Sequence, residues 1–445
     1  MESFYEEINN KHIFTPTEDV VMTRGKGIYL WDEKGKRYID CAAATFNLSL
    51  GYSNEEVLDA VREQAEKMVH ITSSYMCEPV AKLVDELVKV TPKDLTKIHL
   101  KVSGGSTANE GAIKMANFYN KKSGVISMFR SHVGQTIYTM NVSGLGFRRE
   151  PFSNLGNANI VHVPPAYCYR CFYNSTKDKC QMMCATRIEE FIKYAANGNV
   201  SALIVEPIMG NGDNIIPPRE YFGELRKLAD KYGCALIFDE IQTGVGRTGK
   251  MFAADYFDVQ PDIMTIAKGL GGTGFQIAAI ACKEEYSKME GFYHSFTYGS
   301  NSVSAAAGVK TLEIIQRDGF LDNVTNVGEY FVQRLKASQQ KYDFIGEVRG
   351  VGLMIGFEII DSKGEENLEL TKKITKMAFD NGLILRTSRY GIGNVIKIRP
   401  ALTITKAEAK EVCDILDGVF DMVQRGSIKA VESAIKTDAY AEPSA

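Results

Sequence analysis

The chain has 445 residues, 44% of them hydrophobic and 24% charged, and a formal net charge of −3. Basic and acidic residues are interspersed, which argues against a general nucleic-acid surface, because such a surface needs clustered lysine and arginine. No apolar run approaches the ~20 residues that cross a bilayer, so no membrane partner is expected. An average of about 150 residues per domain predicts two or three structural units.

The N-terminal segment Met1–His12 is acidic and lacks the basic and apolar regions of a secretory signal. The chain holds nine cysteines, an odd number, which does not favour a disulfide framework in a chain of this length. We therefore expect a soluble cytoplasmic protein whose cysteines are mostly reduced thiols.

Two local patterns mark the N-terminal part of the chain. The stretch Gly27–Asp40 is typical of a β-hairpin, with its turn at Asp32–Gly35. The stretch Ser53–Glu56 has the Ser-x-x-Glu form of a capping box and opens an amphipathic helix that runs toward Met68.

The middle of the chain alternates apolar strand patterns with helical patterns, including helices at Ala108–Asn120 and Arg219–Tyr232. Several strand patterns are continuously apolar, as in strands that are covered on both faces. This alternation predicts an α/β fold with a mostly parallel sheet. The predicted strands are Lys97–Ser103, Gly124–Phe129, Asn159–Pro164, Ser201–Glu206, Ala235–Asp239, Ile263–Ala267 and Ile277–Cys282.

Beyond about residue 310 the pattern changes to that of a smaller α+β domain. Its predicted elements are a helix to about Lys341, strands within Phe344–Ile359, Leu383–Arg386 and Val395–Arg399, and helices at Leu370–Asp380 and Lys406–Gln424. We predict four segments: 1–60 packing with the small domain, 61–310 as the large domain, 311–436 as the small domain, and 437–445 as a tail.

Two apolar strands end in charged residues that are candidates for a catalytic or binding role. The first delivers Asp239 and Glu240, and the second delivers Lys268, to the edge where open α/β sheets bind their ligands. Taken alone, such charged residues more often begin a solvated loop. A buried lysine, however, loses its charge readily and becomes a nucleophile, so the pairing of acid and lysine indicates a site.

A third element is the stretch Val102–Glu110, in which a strand ends in a Gly-Gly-Ser turn that opens a helix. Such a turn presents backbone N–H groups and the positive end of the helix dipole, which suits a phosphate. It lacks the glycine spacing of a dinucleotide fingerprint and the lysine of a Walker loop. A simple helix cap is an equally good interpretation of this segment alone.

Together these elements resemble the class III (ω-type) aminotransferases of pyridoxal-phosphate (PLP) fold type I. The most specific part is Phe238–Gly249 followed by Ala267–Gly269. The similarity extends from the Gly27–Asp40 hairpin to the segment Arg399–Leu402, and so covers nearly the whole chain. It implies a large α/β/α sheet domain and a smaller α+β domain.

The resemblance implies roles for individual residues, with Lys268 and Asp239 as the catalytic pair. Lys268 holds the cofactor as a Schiff base and later moves the proton of the substrate, while Asp239 grips the ring nitrogen. Gln242 bonds the phenolic oxygen and Ile241 contacts one ring face. The remaining implied cofactor contacts are Gly105 and Ser106 at the phosphate, Glu206 near the cofactor, and Thr297 at the phosphate of a neighbouring subunit.

This chain departs from the family pattern at three positions. His132 stands where the family has a ring-stacking aromatic residue, and Asn211 stands where many users of 2-oxoglutarate have glutamate. Lys397 stands in place of a carboxylate-binding arginine. The other cations that could serve a substrate carboxylate are Arg386, Arg389 and Arg399, although each is also typical of a solvated surface residue.

Four cysteines, Cys168, Cys171, Cys180 and Cys184, lie outside the common family pattern. Four thiolates at this spacing could bind zinc if the loop closed around the metal. The alternative is a set of reduced thiols in an insert at the rim of the site. We assign no metal to the protein on this pattern.

The function implied is a PLP-dependent aminotransferase that moves an amino group from a small amino acid or ω-amine to a 2-oxo acid, with pyruvate favoured. The Lys268 Schiff base would serve a ping-pong mechanism, in a homodimer or homotetramer. A racemase or epimerase of the same family would share every cofactor residue and differ in returning the proton to the opposite face of Cα. A PLP- or metal-binding regulatory protein would bind without turnover.

Overall fold

The structure is a computed structural model, and it describes residues 20–152 and 159–426 together with Ile8, Lys11 and Glu18. The predicted tail, 437–445, lies outside the described residues. None of the helices in these ranges is both long and apolar enough to cross a membrane.

Strands and helices alternate through the middle of the chain as predicted. The strands are β1 Met22–Lys26, β2 Tyr29–Asp32, β3 Arg37–Asp40, β4 Lys97–His99, β5 Gly124–Met128, β6 Ile160–Val163, β7 Val200–Val205, β8 Ala235–Asp239, β9 Ile263–Ile266, β10 Ala279–Cys282, β11 Ile345–Val351, β12 Met354–Ile359, β13 Leu383–Ile384, β14 Arg386–Thr387 and β15 Val395–Ile398. The α-helices are α1 Ala43–Phe46, α2 Glu55–Lys67, α3 Glu78–Val90, α4 Gly105–Asn120, α5 Ile137–Val142, α6 Met183–Thr186, α7 Ile188–Glu190, α8 Tyr221–Tyr232, α9 Ala253–Phe257, α10 Ser302–Ile315, α11 Phe320–Lys341, α12 Leu368–Asp380 and α13 Lys406–Gln424.

A seven-stranded sheet forms the centre of the protein, in the order β4-β10-β9-β8-β7-β5-β6. All its strands are parallel except β10, which pairs antiparallel with both of its neighbours. Every residue of β7, β8 and β9 is buried, as expected of strands covered on both faces. The prediction of a mostly parallel α/β sheet is therefore confirmed.

Two four-stranded sheets complete the fold. One has the order β11-β12-β15-β14 and is antiparallel. The other joins the N-terminal hairpin to the C-terminal part of the chain, because β3 pairs in parallel with β13. The predicted hairpin turn is closed by Asp32, whose Oδ1 accepts from the backbone N–H groups of Lys34 at 2.9 Å and Lys36 at 2.8 Å.

Two local predictions are corrected. The helix α2 is capped by Asn54, whose side chain accepts from Val57 N at 3.2 Å, and not through a capping box that starts at Ser53. Ser53 has a φ of +51°, whereas a capping residue takes an extended conformation. The helix α4 begins at Gly105, ahead of the predicted Ala108, so the Gly-Gly-Ser turn forms its first turn.

Candidate active site

The carboxyl ends of four parallel strands meet around one cavity of about 330 Å³. Asp239 is the last residue of β8, Glu206 follows β7, Lys268 follows β9, and His132 lies in the loop after β5. The predicted cofactor residues that line this cavity are Gly105, Ser106, His132, Glu206, Asp239, Ile241, Gln242 and Lys268. Of the predicted cofactor set, only Thr297 lies elsewhere, at an exposed position.

Asp239 is held by two hydrogen bonds at the floor of the cavity. Asn109 Nδ2 donates to Asp239 Oδ2 at 2.7 Å, and the backbone N–H of Ile241 donates to Oδ1 at 3.1 Å. Burial raises the pKa of Asp239 to about 7, and the nearby Glu206 adds to the rise. A cation placed against this carboxylate would restore its charge, which fits a protonated ring nitrogen.

Asn109 is a functional residue that the sequence reasoning missed. Its side chain also donates to Val133 O at 2.7 Å and accepts from Thr265 Oγ1 at 2.7 Å, so it fixes the position of Asp239. A signal was present, because Asn109 shares the apolar face of α4 with Ala112, Ile113 and Ala116. A polar side chain at such a position needs a buried partner.

Lys268 reaches the cavity from the neighbouring strand. Burial lowers the pKa of its amine to about 8, against the opposing effect of the Asp239 and Glu206 charges. A substantial fraction of this amine is therefore neutral near physiological pH, and a neutral amine is a nucleophile.

His132 occupies the flank of the cavity opposite Lys268, because β8 and β7 separate their strands in the sheet. Its backbone N–H donates to Glu206 Oε1 at 2.8 Å, and Tyr390 Oη lies 3.1 Å from its Nε2. Burial, with the charge of Lys268 as a second cause, lowers the pKa of His132 to about 3. The imidazole is therefore neutral, as a ring that stacks on a pyridinium should be.

The His132 shift predicts a pH-dependent stability of the protein without cofactor. The pKa of His132 is about 3 in the folded state and 6.5 ordinarily, so between pH 3 and pH 6.5 the unfolded chain binds one more proton than the folded protein. The stability that His132 contributes is present above pH 6.5 and is lost as the pH falls toward 3. Between pH 6 and pH 4, wild type should lose about 1.4 kcal/mol per pH unit more than His132→Phe. Denaturant unfolding would measure this, and parallel pH profiles would contradict it.

The first turn of α4 supplies the candidate phosphate site. The N–H groups of a first turn have no partner within the helix, and the first-turn residues Gly105 and Ser106 line the cavity here. A Cβ added at Gly105 would lie 2.9 Å from Ile241 Cδ1, so the Ile241 side chain would have to shift to accommodate it. A buried carboxylate, an amine and a helix N-terminus thus surround one space, and this set of groups fits pyridoxal phosphate.

Arg399 lies behind the cavity and supports it. Its guanidinium is fully buried, donates to Gln242 Oε1, and donates to Gly210 O at 2.8 Å and to Asn214 Oδ1 at 2.5 Å. Arg399 therefore orients Gln242, a contact that no sequence pattern indicated.

The other candidate cations for a substrate differ in their availability. Arg386 is exposed on β14, and Arg389 is paired with Asp213 at 3.1 Å and with Glu366. Lys397 is 1% exposed, and its Nζ lies 3.4 Å from Asn211 Oδ1, where Asn211 lines the cavity. Of these three cations, Lys397 is the one that is buried beside a lining residue of the cavity and that has no carboxylate partner among the described residues.

The four-cysteine segment lies between β6 and β7 and is anchored by hydrogen bonds from Tyr167 Oη and Arg170 Nε to Glu358. All four cysteines are free thiols, with Cys168 exposed and the others partly buried. Within residues 20–152 and 159–426, no group of three or more His, Cys, Asp or Glu side chains is placed to hold a metal ion.

Comparison with known proteins places this site in context. The family model for class-III aminotransferases matches residues 13–420. The chain is 34% identical to a leucine/methionine racemase of Thermococcus litoralis, over 92% of each chain. It is 33% identical to an acetylornithine aminotransferase of Methanothermobacter thermautotrophicus, over 90% of this chain and 94% of that one. An amine transaminase from an uncultivated Pseudomonas species, solved in its PLP-bound form, superposes with a TM-score of 0.85 at 26% identity, covering 91% and 95% of the two chains.

Proposed function

Because the chain belongs to the class-III aminotransferase family and is a PLP-dependent enzyme, we propose that it transfers the amino group of a small amino acid or ω-amine to a monocarboxylic 2-oxo acid such as pyruvate. The predicted family, the type I fold and the cofactor are confirmed. The amino donor, the acceptor and the residue roles belong to the proposal.

The observation that carries the proposal is the number of proton carriers in the cavity. Its titratable lining residues, among those the structure describes, are His132, Glu206, Asp239 and Lys268. A pKa of about 3 makes His132 too weak a base, and both carboxylate oxygens of Glu206 accept backbone N–H groups. With Asp239 committed to the ring nitrogen, Lys268 is the one of these four lining residues suited to move a proton. Transamination needs one such group, whereas racemisation must serve both faces of Cα.

In this proposal each residue has a physical task. Pyridoxal phosphate, when bound, supplies an electron sink and carries the amino group between the two half-reactions. Lys268 would hold the cofactor through its Nζ, and this amine would also move the proton that leaves the substrate Cα. Asp239 keeps the ring nitrogen protonated, and Gln242, oriented by Arg399, donates to the phenolic oxygen. His132 and Ile241 enclose the two ring faces, and Glu206 fixes the loop that carries His132.

The acceptor is predicted from the cations at the site. Of the four candidate cations, all among the described residues, Arg386 is exposed and Arg389 and Arg399 are engaged with other groups. Lys397 is therefore the candidate for one substrate carboxylate, and 2-oxoglutarate has two. Lysine is also a point charge, without the two-pronged geometry of arginine. With one good donor, kcat/KM for pyruvate should exceed that for 2-oxoglutarate by about tenfold, or about 1.4 kcal/mol. A tenfold preference for 2-oxoglutarate would refute the monocarboxylic assignment.

Racemisation is the second candidate, and one observation favours it. The leucine/methionine racemase of Thermococcus litoralis and an alanine/serine racemase of Pyrococcus horikoshii are 34% and 32% identical to this chain. A racemase of this architecture would need a second proton carrier on the side of the substrate away from Lys268.

We also propose that the enzyme acts as a homodimer or higher oligomer. Two neighbouring segments expose large apolar side chains, namely Tyr75 (67% exposed), Met76 (85%) and Tyr298 (74%). The two segments are joined by a hydrogen bond from Asn301 Nδ2 to Val69 O at 3.1 Å. Exposed apolar side chains in one region are typical of a contact surface. Thr297 lies beside Tyr298, which supports its proposed role at the phosphate of a partner subunit.

The cytoplasm is the proposed location, since all nine cysteines are free. The limits of the large and small domains near residues 60 and 310 are likewise proposed, whereas the predicted limit at residue 436 lies outside the described residues.

A further inference from the structure

The side chain of Lys397 lies in a buried environment that disfavours its positive charge. It lies on β15 with 1% of its surface exposed, and Arg399, which directly follows the end of that strand, is fully buried. The ring of Phe46 lies 4.8 Å from both Lys397 Nζ and the guanidinium carbon of Arg399. Among the described residues no carboxylate forms an ion pair with Lys397. A buried ammonium group without an anion is costly, and lysine avoids the cost by losing its proton.

The charges around Lys397 reinforce this effect. Burial lowers the pKa of Lys397 well below its ordinary value, and the charges of Arg399, Lys268 and Arg386 lower it further. Asp213 opposes them, but its carboxylate is already paired with Arg130 and Arg389. Three cations thus surround Lys397, from β14 and from the residues that follow β15 and β9. The one anion, Asp213 in the loop after β7, is already paired.

Asn211 connects Lys397 to the cavity. Its Oδ1 lies 3.4 Å from Lys397 Nζ, while its buried Nδ2 has no hydrogen-bond partner among the described residues. A carboxylate that entered from the cavity could accept from both nitrogens. It would supply the anion that Lys397 lacks and the acceptor that Asn211 lacks.

We propose that Lys397 is a neutral amine in the free enzyme and that a substrate carboxylate binds against Lys397 and Asn211 with uptake of one proton. The step breaks no covalent bond of the substrate: the amine, a proton from solvent and the carboxylate form an ammonium–carboxylate pair. The identification of the carboxylate as that of the substrate rests on the proposed function. The lysine makes carboxylate binding proton-coupled, whereas an arginine at this position would stay charged.

The sign of the pH dependence follows from this coupling. The carboxylate raises the pKa of Lys397 in the complex, so the complex binds more protons than the free enzyme. Carboxylate affinity should therefore fall as the pH rises, by about tenfold per pH unit, while Lys397 is neutral in the free enzyme and charged in the complex.

The test uses the PLP-loaded enzyme and butyrate, a carboxylate that has no amino or oxo group and cannot react with the cofactor. Titration calorimetry at pH 7.5 in HEPES and in imidazole, buffers of different ionisation heat that lack a primary amine, gives the protons taken up per site. Wild type should take up about one proton. Lys397→Arg should bind butyrate without uptake, and Lys397→Met should lose most of the binding. The cofactor absorbance, followed in the same titration, reports any proton taken up at Lys268.

Three results would overturn the proposal. These are equal heats in the two buffers, uptake that persists in Lys397→Arg, and absence of butyrate binding to wild type. The affinity profile of wild type between pH 6.5 and pH 8.5 requires no variant, and a flat profile would also refute the proposal. Because butyrate is not turned over, these outcomes are independent of whether the enzyme transaminates or racemises its substrate.

Discussion

Replacement of Lys268 by alanine should abolish turnover, with a loss of at least about 10⁴-fold in kcat for any amino donor. The variant loses the amine that forms the Schiff base and, with the same side chain, the proposed proton carrier, so two steps of the reaction are impaired. Its absorbance should lack the Schiff-base band of wild type while its circular dichroism is unchanged. Small primary amines added to the variant should restore part of the activity, because they can replace the missing proton acceptor.

The matched control is Lys227→Ala. Lys227 is 73% exposed at its side chain and pairs only with Glu224 on α8, so its removal should leave activity and absorbance unchanged. Retention of the Schiff-base band in Lys268→Ala would show that another lysine holds the cofactor, and Lys397 would be the first to examine.

Replacement of Asp239 by asparagine should reduce kcat by about 10³-fold while the enzyme still binds pyridoxal phosphate. The amide keeps the shape of the carboxylate, but its single oxygen can accept from only one of the two donors, Asn109 and Ile241, and it cannot stabilise a positive ring nitrogen. The ring then accepts electrons poorly, so the proton at the substrate Cα is harder to remove. Stopped-flow absorbance of the first half-reaction with excess donor would measure this step directly.

Asp230→Asn is the control for charge removal at an aspartate, since Asp230 is 66% exposed and pairs with Arg226 away from the cavity. Near-normal turnover in Asp239→Asn would remove Asp239 from its proposed role. A smaller loss, about tenfold, is expected for Asn109→Ala, because that change only loosens the position of the carboxylate.

The central sheet could be predicted because several of its strands are nearly continuous apolar runs in the sequence. Runs such as Ala235–Asp239 and Ile263–Ile266 are apolar except at Asp239 and Thr265, and near-continuous apolar runs are typical of strands covered on both faces. The charged groups that end these runs were predictable for the same reason, since a polar residue after a continuously apolar strand lies at the edge where ligands bind.

What the sequence could not provide are contacts between distant segments. The hydrogen bond from Arg399 to Gln242 joins residues 157 positions apart, and the pairing of β3 with β13 joins the two ends of the chain. The availability of a cation is likewise a tertiary property. Arg389 and Lys397 look equivalent in sequence. In the structure Arg389 is paired with Asp213 and Glu366, whereas Lys397 is buried and has no anionic partner among the described residues.

The central claim is that Lys268 is the single proton carrier of a transaminase. It is tested by incubating the PLP-loaded enzyme with one enantiomer of alanine and with 2-oxobutyrate, and then measuring 2-aminobutyrate and the optical purity of the remaining alanine. We expect 2-aminobutyrate to accumulate while the remaining alanine keeps its configuration. Loss of optical purity at a rate equal to or above that of amino-group transfer, and especially in the absence of 2-oxobutyrate, would contradict it and identify the enzyme as a racemase.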